Sequence, residues 1–466
     1  MRNINPIFLK DFYKVLHYEQ YPQGTTKIIS NMTPRASKLA GIDYAVVFGI
    51  NYLIKEYLVR QFNENFFSIS KRRVMKEYRD FMKQTLGVEK DFHHIAELHD
   101  LGHLPIEIYA LPEGTKCPIG VPMLVIYNTM PTFYWLTNTL ETLISCVLWN
   151  MCTAATTASQ YRALLDEYAL STSSTPAFVD WQAHDFSFRG MSSIESAATS
   201  GAGHLLYFKG TDNIPAIHLM KEYYGKDLKN CNSVAATEHS VMCSGGCNPN
   251  EELATYKRLI NEVYPSGIVS IVSDTWDFWK VVSEFLPQLK DDIMKRDGKV
   301  VIRPDSGDPV KIICGDVSAT GPAKAGMIQQ LWEIFGGTTN RKGFKELDSH
   351  IGAIYGDSIT PEVAKSILHG LEMKGFASTN IIFGVGSYSY QYKTRDSLGF
   401  AIKATAAEIN GELVPLFKNP KTDSGVKKSA RGLLMVRKGL DGKLFVKENI
   451  NWPEFYSDLN ELKKVF

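Results

Sequence analysis

One run of seven residues, Arg303-Pro304-Asp305-Ser306-Gly307-Asp308-Pro309, places a guanidinium and a carboxylate within a single rigid turn. That pairing suits a sugar diphosphate. The guanidinium takes phosphate oxygens, and the carboxylate accepts from ribose hydroxyls or a hydrated magnesium ion. The plain alternative is a turn with a local ion pair, since Pro-Asp-Ser-Gly is good turn chemistry. Gly356-Asp357-Ser358 and Gly384-Val385-Gly386-Ser387 are candidates of a second kind. A phosphate needs several backbone N–H groups converging on it, and glycine lets the backbone come close; ordinary turns would use the same residues. His184-Asp185-Phe186-Ser187-Phe188-Arg189-Gly190 offers an aromatic ring for stacking and an arginine for an anion. Glu238-His239-Ser240 sets a histidine beside a carboxylate able to orient its ring. Asp274 and Asp277 read as an N-cap and a third-position acid on the helix that follows.

The elements around these segments explain how they could meet. From about residue 177 the pattern repeats strand, loop, helix. The clearest strands are Ile268–Val272, Val300–Arg303, Ile351–Tyr355 and Ile381–Gly384, separated by helical stretches near 276–295, 322–336 and 361–374. Short apolar strands alternating with helices imply a parallel sheet, doubly wound or closed into a barrel. Loops at the strand C-termini then share one face, where ligand sites collect. Each of the four strands runs directly into one of the charged or glycine-bearing loops above, which argues for one composite site. The helix at 361–374 is marked by a Thr360 cap, Pro361 in its first turn and Gly375 at its exit. Phe178-Val179-Asp180-Trp181 is β-like and leads into the His184 segment, which a Ser/Ala-rich helix follows. The part before about residue 130 is different. Lys27–Met32, Tyr44–Gly49, Pro105–Ala110 and Val121–Tyr127 are β-rich runs, and two helical stretches follow, roughly Tyr134–Asn150 and Ala155–Leu170.

Composition narrows the function classes. The 466 residues carry 51 Lys plus Arg against 50 Asp plus Glu, a net charge of +1. That balance gives no electrostatic reason to expect nucleic acid or a membrane as partner, so any anion site must be a local cluster of cations. The start of the sequence lacks the basic residues and long apolar stretch of a secretory signal. The most apolar window, Thr142 to Ala158, is interrupted by Ser145, Asn150, Thr153, Thr156 and Thr157, as in a buried helix. The seven cysteines form no CxxC pair and read as free thiols in a reducing, cytoplasmic setting. His93, His94, His99 and His103 have no regular helical or strand spacing and read as a solvated surface, not a metal site.

Taken in order, several segments closely resemble the nicotinamide phosphoribosyltransferase family, from near residue 8 to about residue 435. They begin with Lys10-Asp-Phe-Tyr-Lys-Val-Leu-His-Tyr18, Gly102-His-Leu-Pro-Ile-Glu-Ile108 and Tyr134-Trp-Leu-Thr-Asn138. His184-Asp-Phe-Ser-Phe-Arg189, Phe208-Lys-Gly-Thr-Asp212, Glu238-His-Ser240 and Val272-Ser-Asp-Thr-Trp-Asp277 follow. Ile302-Arg-Pro-Asp-Ser-Gly-Asp-Pro309, Tyr355-Gly-Asp357 and Lys393-Thr-Arg-Asp396 complete the set. The resemblance implies an irregular (β/α) barrel-like phosphoribosyltransferase domain at 151–396, with an additional β-rich α+β domain at 1–150 completed by 397–466. It implies a homodimer with active sites shared between subunits, and nicotinamide, 5-phosphoribosyl-1-pyrophosphate and ATP as small-molecule partners. Mg²⁺ would be bound mainly through pyrophosphate or ATP.

By the same resemblance nicotinamide stacks between Phe186 and Tyr13 of the other subunit, and Asp212 accepts from the carboxamide. Arg303 and Asp305 hold ribose and the pyrophosphate end, which Arg189 and His239 also face. Gly356, Asp357, Gly386 and Ser387 cradle the 5-phosphate, joined by Arg395. Arg35, Lys403 and Lys418 match cations that reach bound phosphates across the dimer. His239 matches a histidine phosphorylated by ATP. This sequence departs from the family at Gly386-Ser387-Tyr388, where a glycine triplet is expected, in the charge spacing of the 421–431 loop, and in its tail after about residue 435. A nicotinate-specific enzyme and a catalytically weak binding or signalling relative are the rival readings. Asp212 opposes the first, because a carboxylate repels a carboxylate. The presence of Arg303, Asp305, Asp212 and His239 opposes the second. A barrel aldolase or sugar isomerase is disfavoured, because no candidate Schiff-base lysine stands out at a strand end of this sequence.

Overall fold

Six antiparallel strands form the main sheet of the first part of the structure, a computed structural model that describes residues 4–245, 248–356, 359–418 and 430–466. The chain separates into two units, residues 1–156 with 393–466, and residues 157–392. In the first unit the sheet order is Glu412–Pro415, Phe400–Ile409, Thr25–Pro34, Leu124–Asn128, Ile106–Ala110 and Lys463–Lys464. Ile106, Ile108 and Ala110 point to the core in alternation, whereas every residue of Leu124–Asn128 is buried. A continuous apolar run in a central strand is the expected consequence of cover on both faces.

Two expectations change here. A single 39-residue helix, Tyr134–Thr172, replaces the two stretches read from sequence. Threonines between the two stretches bond back along the helix. Thr153 Oγ1 donates to the Trp149 carbonyl and Thr156 Oγ1 to the Cys152 carbonyl, each at 2.6 Å. The histidine segment is also regular: His93–Leu101 is a helix, and His94 is buried with its ring stacked on Tyr18 at 3.8 Å between centroids. Ile95 and Leu98 share its buried face, so spacing from His94 carries the helical signal that the histidines alone hide.

The second unit is the barrel. Among the described residues its seven strands, all parallel, follow one another in chain order: Ala183–Asp185, Gly210–Thr211, Ala235–Ala236, Ser266–Val272, Asp297–Arg303, Ile351–Tyr355 and Ile381–Val385. The last pairs with the first, and a parallel bridge between Gly210 and Asn232 links the second to the approach of the third. Val269, Ile271, Val300, Ile302, Ile381 and Phe383 are fully buried, each side chain contributing about 1.5–3 kcal/mol of burial. Thr360 caps the helix Pro361–Met373 as expected, accepting from the Val363 amide.

The β-like run Phe178–Trp181 is helical from its second residue: Val179–Gln182 forms one turn, and the strand begins at Ala183. Four apolar-rich residues fit either periodicity, and Pro176 starts a turn there by accepting from the Val179 amide. The strands Gly210–Thr211 and Ala235–Ala236 carry no sequence signal because two residues show no alternation. No described helix is long and apolar enough to cross a membrane.

Candidate active site

At the C-terminal end of the first barrel strand the chain enters the Phe186–Gly190 turn. Asp185, fully buried, fixes this turn: Oδ1 accepts from the Ser187 amide at 2.9 Å and Oδ2 from Asn213 Nδ2 at 3.2 Å. The neighbouring His184 points the other way along the strand, and its Nε2 lies 2.8 Å from Asp212 Oδ1. Ser233 Oγ donates to the same oxygen at 2.5 Å. Burial pushes the Asp212 carboxyl up, but the bonds from His184 and Ser233 and the charge of Arg303 outweigh it and hold Asp212 below the ordinary carboxylate range. Asp212 is therefore a fixed anion.

Phe186 is anchored by its backbone, its amide donating to the Val385 carbonyl at 3.0 Å. Its ring lies across the sixth and seventh strand ends, where only glycine leaves room. A Cβ on Gly384 would sit 2.5 Å from Phe186 Cδ2 and 2.7 Å from the Gly356 Cα. A Cβ on Gly356 would meet Asp305 Oδ1 at 2.7 Å. These glycines serve close approach between side chains and backbone.

The Arg303–Asp305 turn is held from three sides. Arg303 Nη2 donates to the Thr237 carbonyl at 2.7 Å, and Arg303 Nε lies 3.5 Å from Asp305 Oδ1. Tyr355 OH donates to the Gly307 carbonyl at 2.8 Å. The third tie is Asp274, which sequence reading took for a helix cap. Asp277 is the cap, accepting from the Trp279 and Lys280 amides. Asp274 instead turns into the site: Oδ2 accepts from the Asp305 amide at 2.9 Å and from Ser306 Oγ at 2.6 Å, and Oδ1 faces His239 Nε2 at 3.1 Å. Its carboxyl is raised by burial but lowered further by Ser306, the Asp305 amide and His239, so it too stays ionised. Glu238, expected to orient His239, is engaged by Ser240 Oγ. The cause is local geometry, since Glu238 precedes the helix His239–Ser244 and its carboxylate stays with that first turn.

Asp274 was legible only as a residue at a strand end, and Glu252 not at all. Glu252 lies on the helix Pro249–Arg258, buried, with Oε1 lacking a hydrogen-bond partner among the described residues. Burial, then the charges of Asp274 and Asp277, raise its carboxyl to about 7.

Gly386 and Ser387 lie at the seventh strand end, at the start of the four-residue helix Ser387–Tyr390. Ser387 packs onto the Arg189 turn: a Cβ on Gly190 would fall 2.0 Å from Ser387 Oγ. Arg189 is exposed. Asp357 lies outside the described residues. A cavity of about 450 Å³ is bordered by His184, Phe186, Asp212 and Arg303 and continues among the aliphatic side chains of the barrel strands. One end of the barrel thus brings together Phe186, Asp212, His239, Arg303, Asp305 and Gly356. A flat ring fits against Phe186 with a donor toward Asp212, and an anionic group fits along Arg303.

Tyr13, Arg35, Arg395, Lys403 and Lys418 belong to the other unit. Tyr13 is 66% exposed. Arg35 Nε donates to the Gly399 carbonyl at 3.3 Å, and Arg395 pairs with Asp396 at 3.3 Å. Lys403 lies on the Phe400–Ile409 strand opposite Asn31, and Lys418 is exposed.

Comparison with known proteins adds names to this geometry. The sequence model of the nicotinate phosphoribosyltransferase (NAPRTase) family matches residues 181–456, and that of the nicotinamide phosphoribosyltransferase N-terminal domain matches residues 5–108. A nicotinamide phosphoribosyltransferase of Acinetobacter baylyi is 51% identical over 453 residues, covering 94% of this chain and 89% of its own length. One of Mycoplasma genitalium is 35% identical over 438 residues, covering 91% and 93%. The crystal structure of human nicotinic acid phosphoribosyltransferase superposes with a TM-score of 0.55 at 14% identity, covering 98% of this chain and 89% of that one, a likeness of fold.

Proposed function

This chain belongs to the nicotinamide phosphoribosyltransferase family, and from that premise we propose that it joins nicotinamide to 5-phosphoribosyl-1-pyrophosphate, forming nicotinamide mononucleotide and pyrophosphate for NAD synthesis. The pyridine nitrogen bonds to C1 of the ribose as the C1–O bond breaks, and that electron pair leaves with pyrophosphate. A weak nucleophile of this kind must be oriented, and the departing charge must be met. Phe186 supplies a stacking face, and Arg303 and Arg189 supply cations. The carboxylates of Asp305 and Asp274 at one barrel end would face a hydrated magnesium–pyrophosphate complex, and Mg²⁺ carried in with pyrophosphate would supply positive charge against the leaving group. Gly356, Gly386 and Ser387 serve the 5-phosphate. Tyr13, Arg35, Arg395, Lys403 and Lys418 complete the site, with Tyr13, Arg35, Lys403 and Lys418 reaching across from the second subunit of a cytoplasmic homodimer. ATP drives the reaction through a phosphohistidine at His239.

The observation that carries the choice of nicotinamide over nicotinate is Asp212, an anion fixed by His184 and Ser233 beside the Phe186 ring. It welcomes an amide N–H₂ and repels a carboxylate. The unaltered enzyme is expected to favour nicotinamide at least about 100-fold in kcat/KM, and Asp212→Asn to shrink that ratio about tenfold or more by removing the like-charge penalty. Steady-state mononucleotide formation from each substrate measures both, and equal use of nicotinamide and nicotinate by the unaltered enzyme overturns the assignment.

Gly384→Ala tests the stacking platform. The added methyl meets both the Phe186 ring and the Gly356 backbone, so the ring must move. A rise of about tenfold in KM for nicotinamide is expected, with the barrel still folded by circular dichroism.

A further inference from the structure

Tyr13 sits in a segment too short to hold itself. Phe12–Leu16 is a five-residue 3₁₀ helix, a geometry with weak internal bonds. Yet it is tied to the helix Tyr134–Thr172 on both sides of Tyr13. Thr142 Oγ1 donates to Asp11 Oδ2 at 2.7 Å, and His17 Nδ1 lies 2.7 Å from Asn138 Oδ1. Between them Lys14 is buried, its Nζ donating to Glu141 Oε2 at 2.6 Å and to the Asn138 carbonyl at 2.8 Å. Glu141 is also buried and takes Ser30 Oγ at 2.7 Å on its other oxygen. A buried ion pair is a poor way to gain stability, because desolvation offsets the attraction and an uncharged pair of similar volume holds a fold as well or better. What it gives is direction. With Lys14 pulled inward, the adjacent Tyr13 is held outward, 66% exposed, its ring edge-on to His17 at 5.3 Å.

We infer that the Lys14–Glu141 pair, with His17–Asn138, is a positioning device that presents Tyr13 for stacking on nicotinamide. The inference rests on the reading of Tyr13 as a contributor to the site. Lys14 and Glu141 touch no substrate; they act through Tyr13.

The test compares Tyr13→Ala, the charge-free Lys14→Met/Glu141→Gln enzyme, and the two combined, in the full-length protein. The charge-free enzyme is expected to unfold within a few degrees of the unaltered one, to raise KM for nicotinamide about tenfold, and to leave kcat and KM for phosphoribosyl pyrophosphate within about threefold. In the Tyr13→Ala background the same change should add nothing. His17→Ala, which cuts an outer tie from a half-buried side chain, should raise the same KM about threefold and keeps the test open if the charge-free enzyme fails to fold. An unchanged nicotinamide KM in both the charge-free and His17→Ala enzymes, or an equal rise with and without Tyr13, overturns the inference. If Tyr13→Ala itself leaves that KM unchanged, the reading of Tyr13 falls, and the inference with it.

Discussion

Asp274→Ala is expected to lower kcat/KM for mononucleotide formation about 100-fold, about 2.7 kcal/mol of transition-state stabilisation, in a protein that still folds. The loss follows from three bonds made by one carboxylate. The Asp305 amide and Ser306 Oγ lose their acceptor, so the turn that aims Asp305 and Arg303 loosens. His239 loses the group that fixes its ring. Asp274→Asn divides these effects. Its one oxygen can keep the Asp305 and Ser306 bonds, which leaves an N–H₂ facing His239 Nε2. The imidazole must then accept at Nε2 and carry its proton on Nδ1. Unstimulated transfer should fall only about tenfold, while any chemistry needing a free Nδ1 is lost. Kinetics within about twofold of the unaltered enzyme for Asp274→Ala would mean that the turn holds itself.

The pH dependence of stability separates the two carboxyls here. Asp274 is held below its ordinary value, so its contribution is present above the unfolded carboxylate range, about 4, and is lost as pH falls through its folded pKa. Glu252 works oppositely. With its folded pKa raised to about 7, it stays protonated where the unfolded chain has ionised, so stability falls as pH rises toward 7 and then levels. Asp274→Asn removes a negative neighbour of Glu252, and the fall should end at lower pH. Urea titrations at several pH values would show it.

The strands Ile351–Tyr355 and Ile381–Val385 were readable because each is a short apolar run ending in glycine, and the ends of such strands are where Gly356 and Gly386 lie. Asp274 was misread because a Ser-Asp before a helix is ordinary capping chemistry, and only the fold shows Asp277 taking the capping bonds. Glu238 was preferred as the partner of His239 because it is adjacent in sequence. The true partner lies 35 residues away, on the loop after the fourth barrel strand. Parallel barrels create such pairings routinely: loops distant in the chain become neighbours at one face, and no local pattern records which side chains meet. Glu252 had no signal, since a charged residue on an amphipathic helix is normally solvated and its burial comes from tertiary packing.

His239→Ala is expected to abolish ATP hydrolysis and ATP stimulation while leaving measurable uncoupled transfer. The imidazole is half exposed and bonded through Nε2 to an ionised carboxylate, so Nδ1 is the nitrogen open to a phosphoryl donor. Asp274 makes that nitrogen more nucleophilic by accepting the Nε2 proton's hydrogen bond. On the proposed coupling role, attack of Nδ1 on the γ-phosphorus would break the bond to the bridging oxygen, and ADP would leave with the electron pair. The phosphoryl group would then add negative charge beside the pyrophosphate end, where Arg303 and Arg189, with Mg²⁺ carried by pyrophosphate, would have to compensate it, tightening the complex. A purely structural histidine predicts otherwise: His239→Ala would lower stability and every activity together. Acid-labile phosphate on the unaltered enzyme after exposure to ATP and Mg²⁺, absent from His239→Ala and reduced at least about tenfold in Asp274→Asn, is the expected signature. If His239→Ala still hydrolyses ATP and is still stimulated by it, the phosphoryl acceptor is another group. If it loses ATP hydrolysis only in step with its folded fraction, His239 is a structural residue.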